Sequence, residues 1–139
     1  IVIDSSAVIA FSGKKTMPRI LRDASPLTMI MSAANIVETS IVLRRLKKIT
    51  PDKAERWLDE FIEAAGIRIE PVTREQARIA RSAHRRFGKG TGHRAALNYG
   101  DCFSYGLAKE MNVPLLCKGN DFRLTDIRVA QRGYSGPPS

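Results

Sequence analysis

The chain has 139 residues, enough for one domain with a true core and too few for several. Hydrophobic residues make up 43% and charged ones 27%, which fits a soluble globular protein and excludes a disordered or fibrous chain. Lys and Arg number 23 against 14 Asp and Glu, a net charge of +9 that points to a polyanionic partner, most simply nucleic acid.

Ile1-Val2-Ile3 is an apolar run suited to a strand buried on both faces of a parallel sheet. It stops at Asp4, and Ser5-Ser6-Ala7-Val8-Ile9-Ala10-Phe11 reads as a helix start. Asp4 therefore either caps that helix or stands as a carboxylate at a strand's carboxyl end, where open α/β sheets bind ligands. Thr16 can cap a short helix that Ala24-Ser25-Pro26 ends, and Leu27 to Met31 reads as a second strand. Ser32 caps a long helix to about Lys48. Ala34, Val37, Ile41 and Arg45 share one side of it, with Glu38 in their midst. A carboxylate there needs a partner, either a salt bridge to Arg45 or Lys47 or a shared cation.

Thr50-Pro51-Asp52 opens the next helix, whose apolar positions include Ala54, Trp57, Leu58 and Phe61, and Gly66 closes it. Ile67 to Glu70 is a short strand. Thr73 and Gln76 form a capping-box pattern for a helix reaching Phe87. Arg74, Arg78, Arg81 and Arg85 make one stripe along it, either a solvated face or a phosphate track leading into Arg86, Lys89 and Arg94. The loop Gly88 to Arg94 is basic and flexible in composition and fails the spacing of a phosphate loop; His84 and His93 read as surface residues. Asn98-Tyr99-Gly100-Asp101 starts a helix with an acid in its first turn, and its apolar face runs from Cys102 to Met111. Val113 to Cys117 is a core strand, and Asp121 follows it in a turn. Ile127 to Val129 is a last strand, with Asp126 before it. Residues 1–132 then form one domain, and 133–139, rich in Gly, Pro and Ser, a loose tail.

Alternating strands and helices imply a three-layer α/β/α fold with a parallel twisted sheet of about five strands. On that sheet Asp4, Glu38, Asp101 and Asp121 can converge. Clustered carboxylates repel unless a cation or shared protons neutralise them. Oxygen-only donors select Mg²⁺, with Mn²⁺ also compatible. Such an ion beside a basic surface is equipment for phosphodiester hydrolysis, because it activates water and neutralises the scissile phosphate. A non-catalytic binding module is the alternative, its acids serving structure or docking. An aspartyl phosphatase is disfavoured, since Ser6 stands where its second Asp would be. Aromatics, at 6%, are too few for a base-stacking platform. Cys102 and Cys117 read as buried, reduced thiols of a cytoplasmic protein, and no run approaches the roughly 18 apolar residues of a membrane span.

The segments Val2-Ile3-Asp4-Ser5-Ser6-Ala7, Glu38-Thr39-Ser40, Asn98 to Tyr105 and Leu115 to Phe122 together resemble a PIN domain, and more narrowly the VapC toxins of type II toxin–antitoxin pairs. The resemblance covers nearly the whole chain. It implies a Mg²⁺-dependent ribonuclease toxin acting on tRNA or rRNA, with Asp4, Glu38, Asp101 and Asp121 as metal-binding catalytic acids. By the same resemblance Ser6 supports the site by hydrogen-bonding an acid or a metal water, and Asn120 matches a position that is often Asp or Asn. It also implies a homodimer and a VapB-like antitoxin, with operator DNA bound only through the antitoxin. Arg85, Arg86, Lys89 and Arg94 are the candidate contacts to RNA phosphates, and Asp126 lies outside the core set.

Overall fold

The computed structural model describes residues 1–14, 19 and 28–130. The elements are β1 (Val2–Ile3), α1 (Ser5–Phe11), β2 (Ile30–Ser32), α2 (Ala33–Lys47), α3 (Pro51–Ala65), β3 (Arg68–Glu70), α4 (Arg74–Phe87), α5 (Tyr99–Met111), β4 (Leu115–Leu116), a 3₁₀ turn (Asp121–Leu124) and β5 (Val129–Ala130). The helix expected after Thr16, the strand start at Leu27 and the tail from Gly133 fall outside the described residues.

All five strands are parallel, in the order β3-β2-β1-β4-β5. The first strand is thus the middle one: Val2 pairs with Ile30 on one side and Leu115 on the other. The chain runs outward from β1 in one direction, then returns to build the other half. The strand order reverses beside β1, and that is where a parallel sheet leaves a crevice at its carboxyl edge.

Side chains alternate across the sheet and feed two cores. Ile1, Ile3, Met29 and Met31 pack with Leu43, Leu58 and Phe61 under α1, α2 and α3. Val2, Ile30 and Leu115 pack with Ala80, Ala83, Phe87, Tyr105 and Leu107 under α4 and α5. The layers are therefore helix, sheet, helix, as the alternation in the sequence implied.

Local chemistry sets the helix ends. Asp4, Ser32, Thr50, Thr73 and Asn98 each accept a backbone N–H from the first turn of the helix that follows. Gly66 closes α3 at positive φ. The capping box expected at Thr73 is half made. Gln76 turns instead to Glu110 on α5, as does the Thr73 hydroxyl.

Three expectations need correction. On α2 the side bearing Val37 and Ile41 is not the core side: Val37 is 60% exposed, and Asn35, Thr39 and Leu43 are buried instead. The loop after Phe87 is a closed turn rather than a flexible one. Gly88 and Leu97 bridge, and the His93 ring meets Phe87 edge-on at 5.0 Å. His93 is accordingly half-buried, and its Nδ1 accepts the Ala95 N–H. The apolar face of α5 stops short of Met111, which is exposed.

Candidate active site

The four acids arrive from four places. Asp4 leaves β1, Glu38 lies on the second turn of α2, Asp101 on the first turn of α5, and Asp121 opens the 3₁₀ turn after β4. Asp4 is only 2% exposed. Its Oδ2 accepts the Ser6 N–H at 3.0 Å and its Oδ1 the Ser104 hydroxyl at 2.5 Å. A buried carboxylate held by two donors keeps one orientation.

Glu38 does not find Arg45. Its Oε1 accepts from the Ser5 hydroxyl at 2.5 Å and the Asn35 amide at 3.1 Å. Its Oε2 lies over Gly100, where any Cβ would collide with the carboxylate. The absent side chain at Gly100 is what lets a carboxylate of α2 reach the first turn of α5.

Asn35, fully buried, ties the parts together. It donates to the Gly100 carbonyl at 2.9 Å as well as to Glu38, and its Oδ1 lies 3.0 Å from the Ser104 hydroxyl. Sequence reasoning passed over Ser5, Asn35 and Ser104. Spacing hinted at two of them only, since Asn35 and Ser104 each stand three residues from an acid on their own helix, and this commonplace spacing does not single them out.

Asp101 closes a capping box with Asn98, its Oδ2 accepting the Asn98 N–H at 2.9 Å. Even so, burial pushes its carboxyl up to about 7, reinforced by the charges of Asp4, Glu38 and Asp121. The Cys117 thiol is pushed up to about 11, by burial first and then by Asp4 among the nearby acids. All four carboxylates therefore share one field at the carboxyl edge of β1 and β4. Among the described residues none of the four is ion-paired with Lys or Arg.

Glu38 Oε2, Asp101 Oδ1 and both oxygens of Asp121 receive no hydrogen bond among the described residues. Hard oxygen donors without a protein counter-charge fit a divalent ion of the Mg²⁺ type. As they stand, no three His, Cys, Asp or Glu side chains among the described residues are close enough to hold one ion. Binding would have to draw the open oxygens inward.

The other expected residues lie as follows. Among the described residues Ser6 does not bond an acid through its hydroxyl. That oxygen accepts the Lys118 N–H at 3.0 Å, which pins the loop leading to Asp121. Asn120 is exposed before the 3₁₀ turn and makes no side-chain cap. Arg85, Lys89 and Arg94 are exposed at the end of α4 and in the turn beyond. Arg86 is engaged elsewhere, 3.7 Å from Asp126 and stacked over Phe87. Asp126 stands apart from the acids, accepting from the Tyr105 hydroxyl at 2.6 Å and pairing with Lys109 at 3.0 Å. Burial raises its carboxyl, but those two donors outweigh burial and the net shift is downward. Both cysteines are free thiols, and no described helix is long and apolar enough to cross a membrane.

A five-stranded parallel sheet with an acid cluster at the reversal of strand order is the architecture of a PIN domain. The PIN domain family model matches residues 1–128, and the chain belongs to that family. Within it the relatives are VapC proteins. Ribonuclease VapC28 of Mycobacterium tuberculosis is 43% identical over 131 residues, covering 93% of this chain and 96% of that one. Ribonuclease VapC of Mycolicibacterium smegmatis is 43% identical over 128 residues, covering 91% and 96%. Among solved structures, Mycobacterium tuberculosis VapC20, titled a sarcin-ricin loop cleaving toxin, superposes with a TM-score of 0.71 at 16% identity, covering 94% of this chain and 98% of that one. VapBC-1 from nontypeable Haemophilus influenzae superposes at 0.72 and 13% identity, covering 95% and 97%. At those identities the likeness is one of fold.

Proposed function

We propose that this chain is a divalent-metal-dependent endoribonuclease, the toxin of a type II toxin–antitoxin pair. The observation that carries the reading is the meeting of Asp4, Glu38, Asp101 and Asp121 from four elements at one edge of the sheet, none of them ion-paired with Lys or Arg among the described residues; burial and the other three acids push the Asp101 carboxyl up to about 7. Such a cluster is costly unless a cation occupies it. Kinship with VapC proteins named as ribonucleases supports the same chemistry.

Asp4 and Asp101 would hold the principal ion with Asp121 beside them, and Glu38 would either join them or orient a water for attack. Mg²⁺ or Mn²⁺, when bound, supplies an activated water and charge neutralisation at the phosphate. Ser104 and the Ser6 N–H fix Asp4; Ser5 and Asn35 fix Glu38 with Oε2 turned outward. Ser6 acts one step away, by holding the loop that presents Asn120 and Asp121. Exposed Arg85, Lys89 and Arg94 supply charge for RNA phosphates. A VapB-like antitoxin, a homodimer, operator DNA reached through the antitoxin and a cytoplasmic location belong to the same reading.

Purified protein should cut RNA with Mg²⁺ or Mn²⁺ and stop in EDTA. Asp4→Asn should lower the rate about 100-fold or more while the circular dichroism spectrum is kept. Equal cleavage by the variant, or cleavage in EDTA, refutes the reading. The separation of the acids favours a second reading, a non-catalytic RNA-binding module. Calorimetry decides between them: RNA binding without Mg²⁺ or Mn²⁺ binding near millimolar concentration would establish the module.

A further inference from the structure

An open groove of about 340 Å³ runs between α4 and α5, beside the acid cluster. Ala77, Ala80 and Cys102 form its apolar floor. Tyr99 and Phe103 make one wall, with Arg81 and His84 opposite on α4. Tyr99 is 80% exposed, the largest exposure of any apolar or aromatic side chain of its size among the described residues. Phe103 meets it edge-on, with centroids 4.8 Å apart and planes at 82°. That contact braces the Tyr99 ring on one side, and its 80% exposure leaves the rest of the ring open to a ligand.

The position ties this groove to the site. Tyr99 is the first residue of α5 and Asp101 the third, with Gly100 between them against Glu38. One helical turn therefore carries an exposed ring and two contacts to the acid cluster. The far wall is cationic. No acid among the described residues pairs with Arg81, which continues along α4 into Arg85. Gly88 keeps the His84 ring at the groove edge, since a Cβ there would stand 2.5 Å from that ring.

We propose that this groove is a base pocket. It takes one unpaired nucleobase of the RNA next to the scissile phosphate, stacked on Tyr99, with Arg81 on an adjoining phosphate. The proposal rests on the nuclease reading for which phosphate is cut, and it stands apart from that reading in how it binds. A planar, apolar-faced ligand attached to negative charge matches an aromatic wall opposite an arginine. The pocket thus selects single-stranded or flipped-out nucleotides over paired ones. Aromatics remain too few for a platform; this is a single stacking place.

The test is binding without catalysis. A short single-stranded RNA carrying a fluorescent adenine analogue at successive positions is titrated with the full chain in EDTA. Stacking on Tyr99 quenches the probe at one register. Tyr99→Ala should abolish the quench and weaken binding about tenfold, and Tyr99→Phe should keep both. Arg81→Ala should keep the quench and lower the slope of log affinity against log salt by roughly one. In Mg²⁺, Tyr99→Ala should raise KM and leave kcat nearly as it was. Melting curves check that the variants fold, and Tyr99 is exposed enough for that. A wild-type protein that binds RNA with no quench at any register, or a Tyr99→Ala variant that quenches equally, overturns the pocket. So does a Tyr99→Ala variant that binds RNA normally but loses self-association or a protein partner, which would make the groove a protein interface. In each of these outcomes wild-type cleavage in Mg²⁺ still judges the nuclease reading separately.

Discussion

Asp101 carries the clearest consequence at the scale of single residues. Its folded carboxyl is raised to about 7 from an unfolded value of 3.8, so the folded state holds a proton that the unfolded state has released over that range. Stability without metal should be greatest below about pH 4 for this group and should fall as pH rises to 7, by no more than about 4 kcal/mol. Melting temperature measured with and without Mn²⁺ checks this: the ion should stabilise little at pH 5 and most above pH 7. Ser104→Ala leaves the buried Asp4 Oδ1 without its hydroxyl donor, and denaturant unfolding should show a loss of about 1.5–3 kcal/mol. Gly100→Ala places a methyl on the Glu38 carboxylate, so Mn²⁺ affinity measured by calorimetry should drop about 10- to 100-fold with the fold intact. The candidate acids were legible because each follows a strand, opens a helix or interrupts an apolar pattern. Ser5, Asn35 and Ser104 were not, because a hydroxyl or amide in a helix looks ordinary until the chain brings it to a carboxylate 33, 3 or 100 residues away.

At the scale of elements, helix starts were legible where caps announced them, and the inward faces of α3 and most of α5 were legible from their apolar spacing. Ser32, Thr50 and Asn98 mark their helix starts by chemistry that works locally. The inward side of α2 is different. It buries Asn35 and Thr39 beside Leu43, because that helix serves the acid cluster at one end and the core at the other. A rule that places apolar residues inside therefore selects the wrong side, and Val37 and Leu46 are left in solvent. The α4–α5 pair shows closeness that no pattern announces. A Cβ at Gly106 would stand 2.8 Å from the Gln76 carbonyl, so Gly106→Ala must push the two helices apart. Urea unfolding should report a loss of about 1–3 kcal/mol.

For the whole molecule, the net charge of +9 predicts RNA affinity that falls steeply with salt. Neutralising Arg85, Lys89 or Arg94 should each lower the log–log slope by roughly one, measured by filter binding in EDTA. Arg86→Ala should change it least, because that guanidinium is already committed to Asp126 and Phe87. Layering and strand direction were legible from alternation alone. The order of strands was not, because nothing in a two-residue strand says which neighbour it takes. The order has a temporal meaning for a protein made on a ribosome. Val2 waits for Leu115, and Asp4 for a hydroxyl 100 residues downstream. Synthesis proceeds from the amino end, so the chain must have been made and released from the exit tunnel through Leu115 before this centre can exist. While it is still tethered to its own translating machinery, the nascent chain has its first acid but not yet the neighbours that hold it in place.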